Sequence, residues 1–325
     1  MQLRRAGKSY EEMCAALRAD ETTRDWVKEK GEPREERELR RIWDRAGEFI
    51  NAPEIAELNE QYAMVLVGGT AAILHEFADF DGRPVWELLK LNSFKSWMAN
   101  RHLTIGQKAL QLGPHWLSHP LRRQYQGIIF APGRDAAGYY NVWRGFACLP
   151  KEGDCSLFLD HVLVNVCKRD KKLFLYVIAW CADIVQHPAK KIGTALAFRG
   201  EQGTGKTLFG KIIGSLLGDH YVSVADPRYI TGRFNSHLTS CLLLHVDEGF
   251  WAGDHTAEGK LKDLVTGEDH LIELKGIEAF KVRNYVRLLV TGNPRWVVPA
   301  AMRERRFAVL EMGLGTKRTT PISRR

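Results

Sequence analysis

The chain has 325 residues, 45% of them apolar and 10% aromatic, which excludes a collagenous, low-complexity or largely disordered protein and allows more than one domain. Its 47 Lys and Arg outnumber 39 Asp and Glu, and the net charge of +8 favours a polyanionic partner through counterion release. The cysteines at positions 14, 148, 155, 167, 181 and 241 show no C-x-x-C spacing and fall in apolar stretches, so they read as buried free thiols in a reducing compartment.

In chain order, residues 1–61 read as a helical N-terminal region. Ser9 and Glu12 have capping-box spacing, and Met13, Leu17, Leu39, Ile42 and Trp43 recur at helical spacing. Gly31 and Pro33 break this region in two, and the mixed charges over 32–45 read as a solvated, salt-bridged face. Residues 62–153 read as a small mixed α/β accessory module, with apolar runs at 63–67 and 127–130 among glycine- and proline-rich turns. Within it, His115 and His119 have metal-like spacing, but Pro114 and Pro120 argue against a helix and no third ligand is near. Asp79 and Asp81 read as a turn beside Gly82 rather than paired catalytic carboxylates, and Gly68-Gly69 lacks the rest of a dinucleotide fingerprint.

Residues 154–312 read as a helical lead-in followed by a P-loop domain. A helical stretch is expected over 154–187, stopped by Pro188. The longest apolar run, at 173–185, is too short to span a bilayer and contains Asp183, so no membrane partner is expected. Strands are expected at 194–198, 241–246, 286–291 and 306–310, with a helix at 208–217 ended by Gly218; this alternation is that of a parallel α/β sheet. Residues 313–325 are apolar-poor and are expected to be a disordered tail, with a shifted reading frame near Gly315 as the expected origin of their composition.

The strongest motif is Gly200-Glu201-Gln202-Gly203-Thr204-Gly205-Lys206-Thr207, a full G-x-x-x-x-G-K-[ST] match between an expected strand and an expected helix that opens with Leu208. Glycines keep side chains away so that backbone N–H groups can wrap phosphate oxygens of ATP. Lys206 reaches the β- and γ-phosphates in such a loop, and the Thr207 hydroxyl holds Mg²⁺.

About 40 residues later, the run 241–246 ends in Asp247-Glu248, which supplies a carboxylate for Mg²⁺ and a base to polarise the attacking water. By itself an apolar run ending in two acids can equally mark a strand entering a loop. A further apolar strand leads to Asn293, suited to bonding the γ-phosphate and the lytic water, or simply to making the turn before Pro294.

The order of these motifs, with Leu261-Lys262 through Asp269 leading to Leu274-Lys275-Gly276 and then Asn293, resembles the superfamily 3 helicases, and within them the helicase part of phage and plasmid primase-helicases. The likeness runs over 62–312 and includes Tyr140 to Gly145 and Gln186 to Pro188. It implies an AAA+ core in a homo-oligomeric, hexameric ring around single-stranded DNA, Lys275 and Gly276 at a channel-lining hairpin tip, and Lys262 as a further DNA contact. It also implies an arginine finger at Arg306, with Arg305 as its substitute. The expected location is the bacterial cytoplasm, with a host- or prophage-encoded gene.

The expected activity is ATP-driven movement on single-stranded DNA in phage or plasmid-type replication, with any primase on another chain. The alternative is a nucleotide-switched, DNA-binding initiator without motor activity. A Glu248→Gln substitution separates the two: a motor keeps ATP binding and loses hydrolysis and unwinding together, whereas a switch keeps its DNA-bound function.

Overall fold

The computed structural model describes residues 8–29, 31, 33–50, 53–105, 108–226, 228–232, 234–247, 255–292 and 305–313. The chain forms two compact units that divide between Gln126 and Gly127.

In the first unit, α1 (Tyr10–Ala19) starts at a complete capping box: the Glu12 N–H donates to Ser9 Oγ at 3.2 Å and the Ser9 N–H donates to Glu12 Oε2 at 2.7 Å. It is followed by α2 (Glu21–Glu29) and α3 (Arg34–Ile50), with Gly31 at φ +65° between them. Buried Met13, Cys14 and Leu39 pack with Leu17 and Trp43, so the helical spacing of these residues marks a small core. Arg18–Glu35 and Arg41–Glu38 ion pairs lie on the outer faces.

Next come α4 (Pro53–Gln61) and a meander of β1 (Tyr62–Val67), β2 (Thr70–Ala78) and β3 (Pro84–Leu89). Gly68 and Gly69 both take positive φ, +57° and +85°, between paired Val67 and Thr70, the geometry of a two-residue hairpin turn. Asp79 makes a turn as expected, its carboxylate accepting from the Asp81 and Arg83 N–H groups at 2.9 Å.

The unit continues through α5 (Leu91–Trp97), β4 (His102–Ile105), β5 (Lys108–Gln111) and α6 (Leu112–Ser118) to β6 (Gln124–Tyr125), which pairs parallel to β1. One core joins Ile55 and Leu58 of α4 to Tyr62, Ile73, Phe94 and Trp116. The division read from sequence at 61/62 therefore falls inside a shared core. Helix α6 forms despite Pro114, because proline lacks only an N–H that the first helical turn leaves unbonded. His115 and His119 are buried against each other, with ring centroids 5.4 Å apart.

The second unit opens with β7 (Ile128–Ile129) and β8 (Tyr140–Asn141), a short parallel pair. The segment after β8 is tied to the P-loop domain: the Ala147 N–H donates to Leu216 O, the Arg144 N–H to His220 Nε2, and Trp143 stacks on His220 at 4.4 Å. These contacts put 127–153 with the domain that follows, across the division expected at 153/154.

The helical stretch expected over 154–187 consists of separate helices. α7 (Ser156–Asp160) runs into a π-helical turn, His161–Val166, and Lys168 and Arg169 then take φ of +49° and +67°. The chain restarts as α8 (Lys171–Gln186), because the Asp170 carboxylate accepts the Lys172 and Leu173 N–H groups and caps a new helix.

Then follow β9 (Ala195–Arg199), α9 (Lys206–Leu217), β10 (Tyr221–Val224), α10 (Arg228–Thr231), β11 (Leu243–Asp247), α11 (His255–Thr266), the antiparallel hairpin β12 (Asp269–Leu274) and β13 (Ile277–Arg283), β14 (Arg287–Gly292) and β15 (Phe307–Glu311). Five of these strands form a parallel sheet ordered β10-β11-β14-β9-β15. The short edge strand β10 was not read from the sequence, since Tyr221, Val222, Ser223 and Val224 carry too few apolar residues to stand out.

Cys148 and Cys155 are exposed, contrary to the expectation that all six thiols are buried; both lie outside regular secondary structure, where nothing packs over them. No helix among the described residues is long and apolar enough to cross a membrane. The tail expected at 313–325 lies outside the described residues except for Gly313.

Candidate functional site

β9 delivers the chain at Arg199 into the glycine loop, and α9 begins at Lys206. Gly203 and Gly205 take φ of +84° and +89°, a left-handed conformation that disfavours side chains. A Cβ at Gly205 would also lie 2.5 Å from Cε1 of His161, so glycine is required there twice over. At Gly203 a Cβ would meet nothing within 4 Å, so its conformation alone selects glycine.

Buried Lys206 donates from Nζ to Gly200 O at 2.7 Å and Glu201 O at 2.8 Å, and Thr204 Oγ1 donates to Glu201 O at 2.9 Å. The loop, its ammonium group and the N-terminus of α9 thus converge, an arrangement suited to a polyphosphate. Gln202 and Leu208 are exposed beside them.

Thr207 Oγ1 donates to Asp247 Oδ1 and Oδ2 at 3.1 and 3.0 Å, although β9, which leads into the glycine loop, and β11, which carries Asp247, are not neighbours. β14 lies between β9 and β11, and its Thr291 pairs with Asp247 on one side and Phe198 on the other. Thr291 Oγ1 donates to Asp247 Oδ1 at 2.5 Å. A hydroxyl and a carboxylate side by side fit a magnesium ion, which takes one or two protein oxygens and completes its shell with water and phosphate oxygens. Among the described residues, no group of three or more His, Cys, Asp or Glu side chains forms an all-protein cage for a different metal.

Fully buried His245 lies beneath this pair, with Nε2 at 2.9 Å from Thr291 Oγ1 and Nδ1 at 2.8 Å from the Tyr221 hydroxyl. Burial pushes its pKa down to about 4, so the imidazole is neutral at pH 7. The sequence reading missed His245, Thr291 and Tyr221. A signal existed for His245, a polar residue inside an apolar run and two positions before Asp247, hence on the same face of the strand.

Glu248 and Asn293 lie outside the described residues; they directly follow Asp247 and Gly292 in sequence. Arg305 and Arg306 precede β15. The Ala195 N–H donates to Arg306 O at 2.8 Å, while Met312 N–H donates to Arg199 O at the other end of the same strand pair. The five residues of β9 rise roughly 16 Å, so Arg306 stands at the opposite end of the sheet from its own glycine loop. Lys275 and Gly276 form the exposed turn between paired Leu274 and Ile277, with Gly276 at φ +76°. Lys262 is half-buried on α11 and is not part of the hairpin.

A family model described as DUF5906, a family of unknown function, matches residues 198–306, a segment that spans the glycine loop, Asp247, the hairpin and Arg306. The chain is 27% identical over 158 residues to a DNA primase-polymerase of Nitratiruptor phage NrS-1. That match covers 47% of this chain and 22% of the phage protein, so the chain corresponds to a limited part of it. Two apo structures of the NrS-1 C-terminal region superpose with TM-scores of 0.60 and 0.58 at 18% identity. Each comparison covers 79% of this chain and 60% of the other. The fold is shared with that region.

Proposed function

We propose that the chain is a magnesium-dependent ATPase of the AAA+, superfamily 3 helicase type that moves on single-stranded DNA in phage or plasmid-type replication. The observation that carries this reading is the meeting of Lys206, Thr207 and Asp247 at the ends of β9, α9 and β11, with the Thr207 hydroxyl 3.0 to 3.1 Å from the carboxylate. The likeness to a phage DNA primase-polymerase supports a replication setting.

In this reading Lys206 exchanges its two loop carbonyls for phosphate oxygens and neutralises charge on the transferring phosphoryl group. Thr207 and Asp247 would hold Mg²⁺, which would supply Lewis acidity toward the phosphates. Glu248 orients and deprotonates the attacking water, and Asn293 bonds the γ-phosphate.

Arg306 is too far along the sheet to serve its own site, so the partner subunit's Arg306, or Arg305 in its stead, completes the charge stabilisation across a ring interface. Accordingly, Arg306→Ala and Lys206→Ala proteins, each inactive alone, are expected to regain partial turnover when mixed, because some interfaces then join two intact half-sites. No rescue at any ratio, with assembly preserved by mass measurement, rejects the shared site.

The hairpin tip provides a second test. Lys275→Ala is expected to lower stimulation of hydrolysis by single-stranded DNA several-fold while leaving ATP affinity unchanged, since an exposed turn lysine meets a backbone phosphate and not the nucleotide. Equal loss of both would assign Lys275 a structural role. The reading as a whole rests on steady-state ATP hydrolysis with and without Mg²⁺ and single-stranded DNA. Absence of Mg²⁺-dependent nucleotide binding sinks it.

A further inference from the structure

We infer that Tyr221, His245 and Thr291 form a directional hydrogen-bond relay that orients Asp247 toward the cation, making His245 and Thr291 positioning residues of the site. The inference rests on the ATPase reading and adds to it a set of residues drawn from three adjacent strands.

The direction of the relay follows from its end. Thr291 has one hydroxyl hydrogen, and of the three possible acceptors the charged Asp247 carboxylate is nearest at 2.5 Å, against His245 Nε2 at 2.9 Å and Val246 O at 3.4 Å, so the hydrogen goes to the carboxylate. His245 Nε2, at 2.9 Å from the same oxygen, must then donate to it, because an unprotonated nitrogen would face the hydroxyl lone pairs. Nδ1, the other ring nitrogen, lies 2.8 Å from the Tyr221 hydroxyl and extends the chain to a third strand. At Asp247 the chain has one orientation only. Reversing it would put two acceptors 2.5 Å apart at Asp247.

The relay is also built into the packing of the P-loop helix. Gly210 and Gly214 lie one turn apart on the buried side of α9. A Cβ at Gly210 would fall 2.4 Å from His245 Nδ1, and one at Gly214 would fall 2.4 Å from the Tyr221 ring. Both glycines therefore leave the space that the two relay rings fill. The helix carrying Thr207 and the carboxylate it bonds thus share one buried support, and the second Asp247 oxygen stays available to Thr207 at 3.0 Å.

Groups that orient a metal-binding carboxylate without touching the metal typically change metal affinity by roughly 10- to 100-fold when removed. The test compares binding of a fluorescent ATP analogue in EDTA with its binding across a Mg²⁺ titration. Thr291→Val, close in shape but without the hydroxyl, is expected to raise the Mg²⁺ concentration for half-maximal effect by at least roughly 10-fold, with metal-free nucleotide affinity unchanged. Thr291→Ser is expected to restore the wild-type titration.

His245→Gln, which keeps a donor near the Nε2 position, is expected to be milder than His245→Leu. Tyr221→Phe removes a single hydroxyl and is expected to shift the titration in the same direction by a smaller factor, which keeps the test open if Thr291→Val does not fold. An unchanged Mg²⁺ titration in Thr291→Val and Tyr221→Phe overturns the relay. Parallel loss of metal-free and metal-dependent binding also overturns it, leaving the three residues as packing. Failure of the wild-type protein to bind nucleotide in either condition strikes the ATPase reading instead.

Discussion

Lys206→Ala is expected to reduce ATP hydrolysis by at least roughly 100- to 1000-fold, the usual loss when one preorganised donor to a developing charge is removed. The effect should be large because Lys206 is buried and is the ammonium group that the fold holds inside the glycine loop, 2.7 and 2.8 Å from Gly200 O and Glu201 O. Its truncation removes the charge and also leaves those two carbonyls without their donor. The measurement is steady-state phosphate release at saturating Mg²⁺ and ATP, with circular dichroism to establish that the variant is folded. Turnover within a few-fold of wild type would falsify the assignment of this loop as the catalytic centre.

The second large effect concerns stability. Arg287→Ala is expected to cost about 3 kcal/mol, the lower end of the range for breaking a buried ion pair, because Asp183 is partly exposed. Arg287 is 1% exposed, and it donates from Nη2 to Asp183 Oδ2 at 3.0 Å and His187 O at 2.8 Å, and from Nη1 to Pro188 O at 3.1 Å and Tyr285 O at 2.9 Å. One guanidinium thereby ties the C-terminal end of α8 to the start of β14, the strand that carries Thr291 to Asp247. In a unit of this size the loss corresponds to a fall in Tm of roughly 10 °C. A fall in Tm below about 2 °C in Arg287→Ala would show that the anchor is dispensable.

Much of the second unit was legible in the sequence for local reasons. The P-loop pattern carries its own geometry, because Gly203 and Gly205 adopt backbone conformations that few other residues tolerate and Lys206 opens a helix that α9 continues. Strands β9, β11 and β14 are buried on both faces and therefore read as continuous apolar runs. The hairpin turn at Lys275-Gly276 and the capping box at Ser9 were readable because two to four adjacent residues define each.

Where neighbours in space are distant in sequence, local reading failed. Nothing in residues 154–187 announced that Asp170 would cap a new helix rather than continue an old one, because an Asp in mid-helix and an Asp at an N-cap differ only in tertiary context. The membership of 127–153 in the second unit is set by contacts with Leu216 and His220, some 70 residues on.

By itself, then, the sequence determined the glycine loop, the strand that presents Asp247, the exposed hairpin lysine and the strand following Arg306, since each is specified by short-range sterics or by the period of burial. Only the tertiary structure decided that β14 lies between β9 and β11, that Thr291 therefore reaches Asp247 from the side, that His245 and Tyr221 fill the room left by Gly210 and Gly214, and that Arg306 stands at the far end of the sheet from its own glycine loop. Strand order is a global choice: the runs of β9, β11 and β14 are each apolar enough to occupy a central place, and the pairing is fixed by side-chain packing between segments up to about a hundred residues apart.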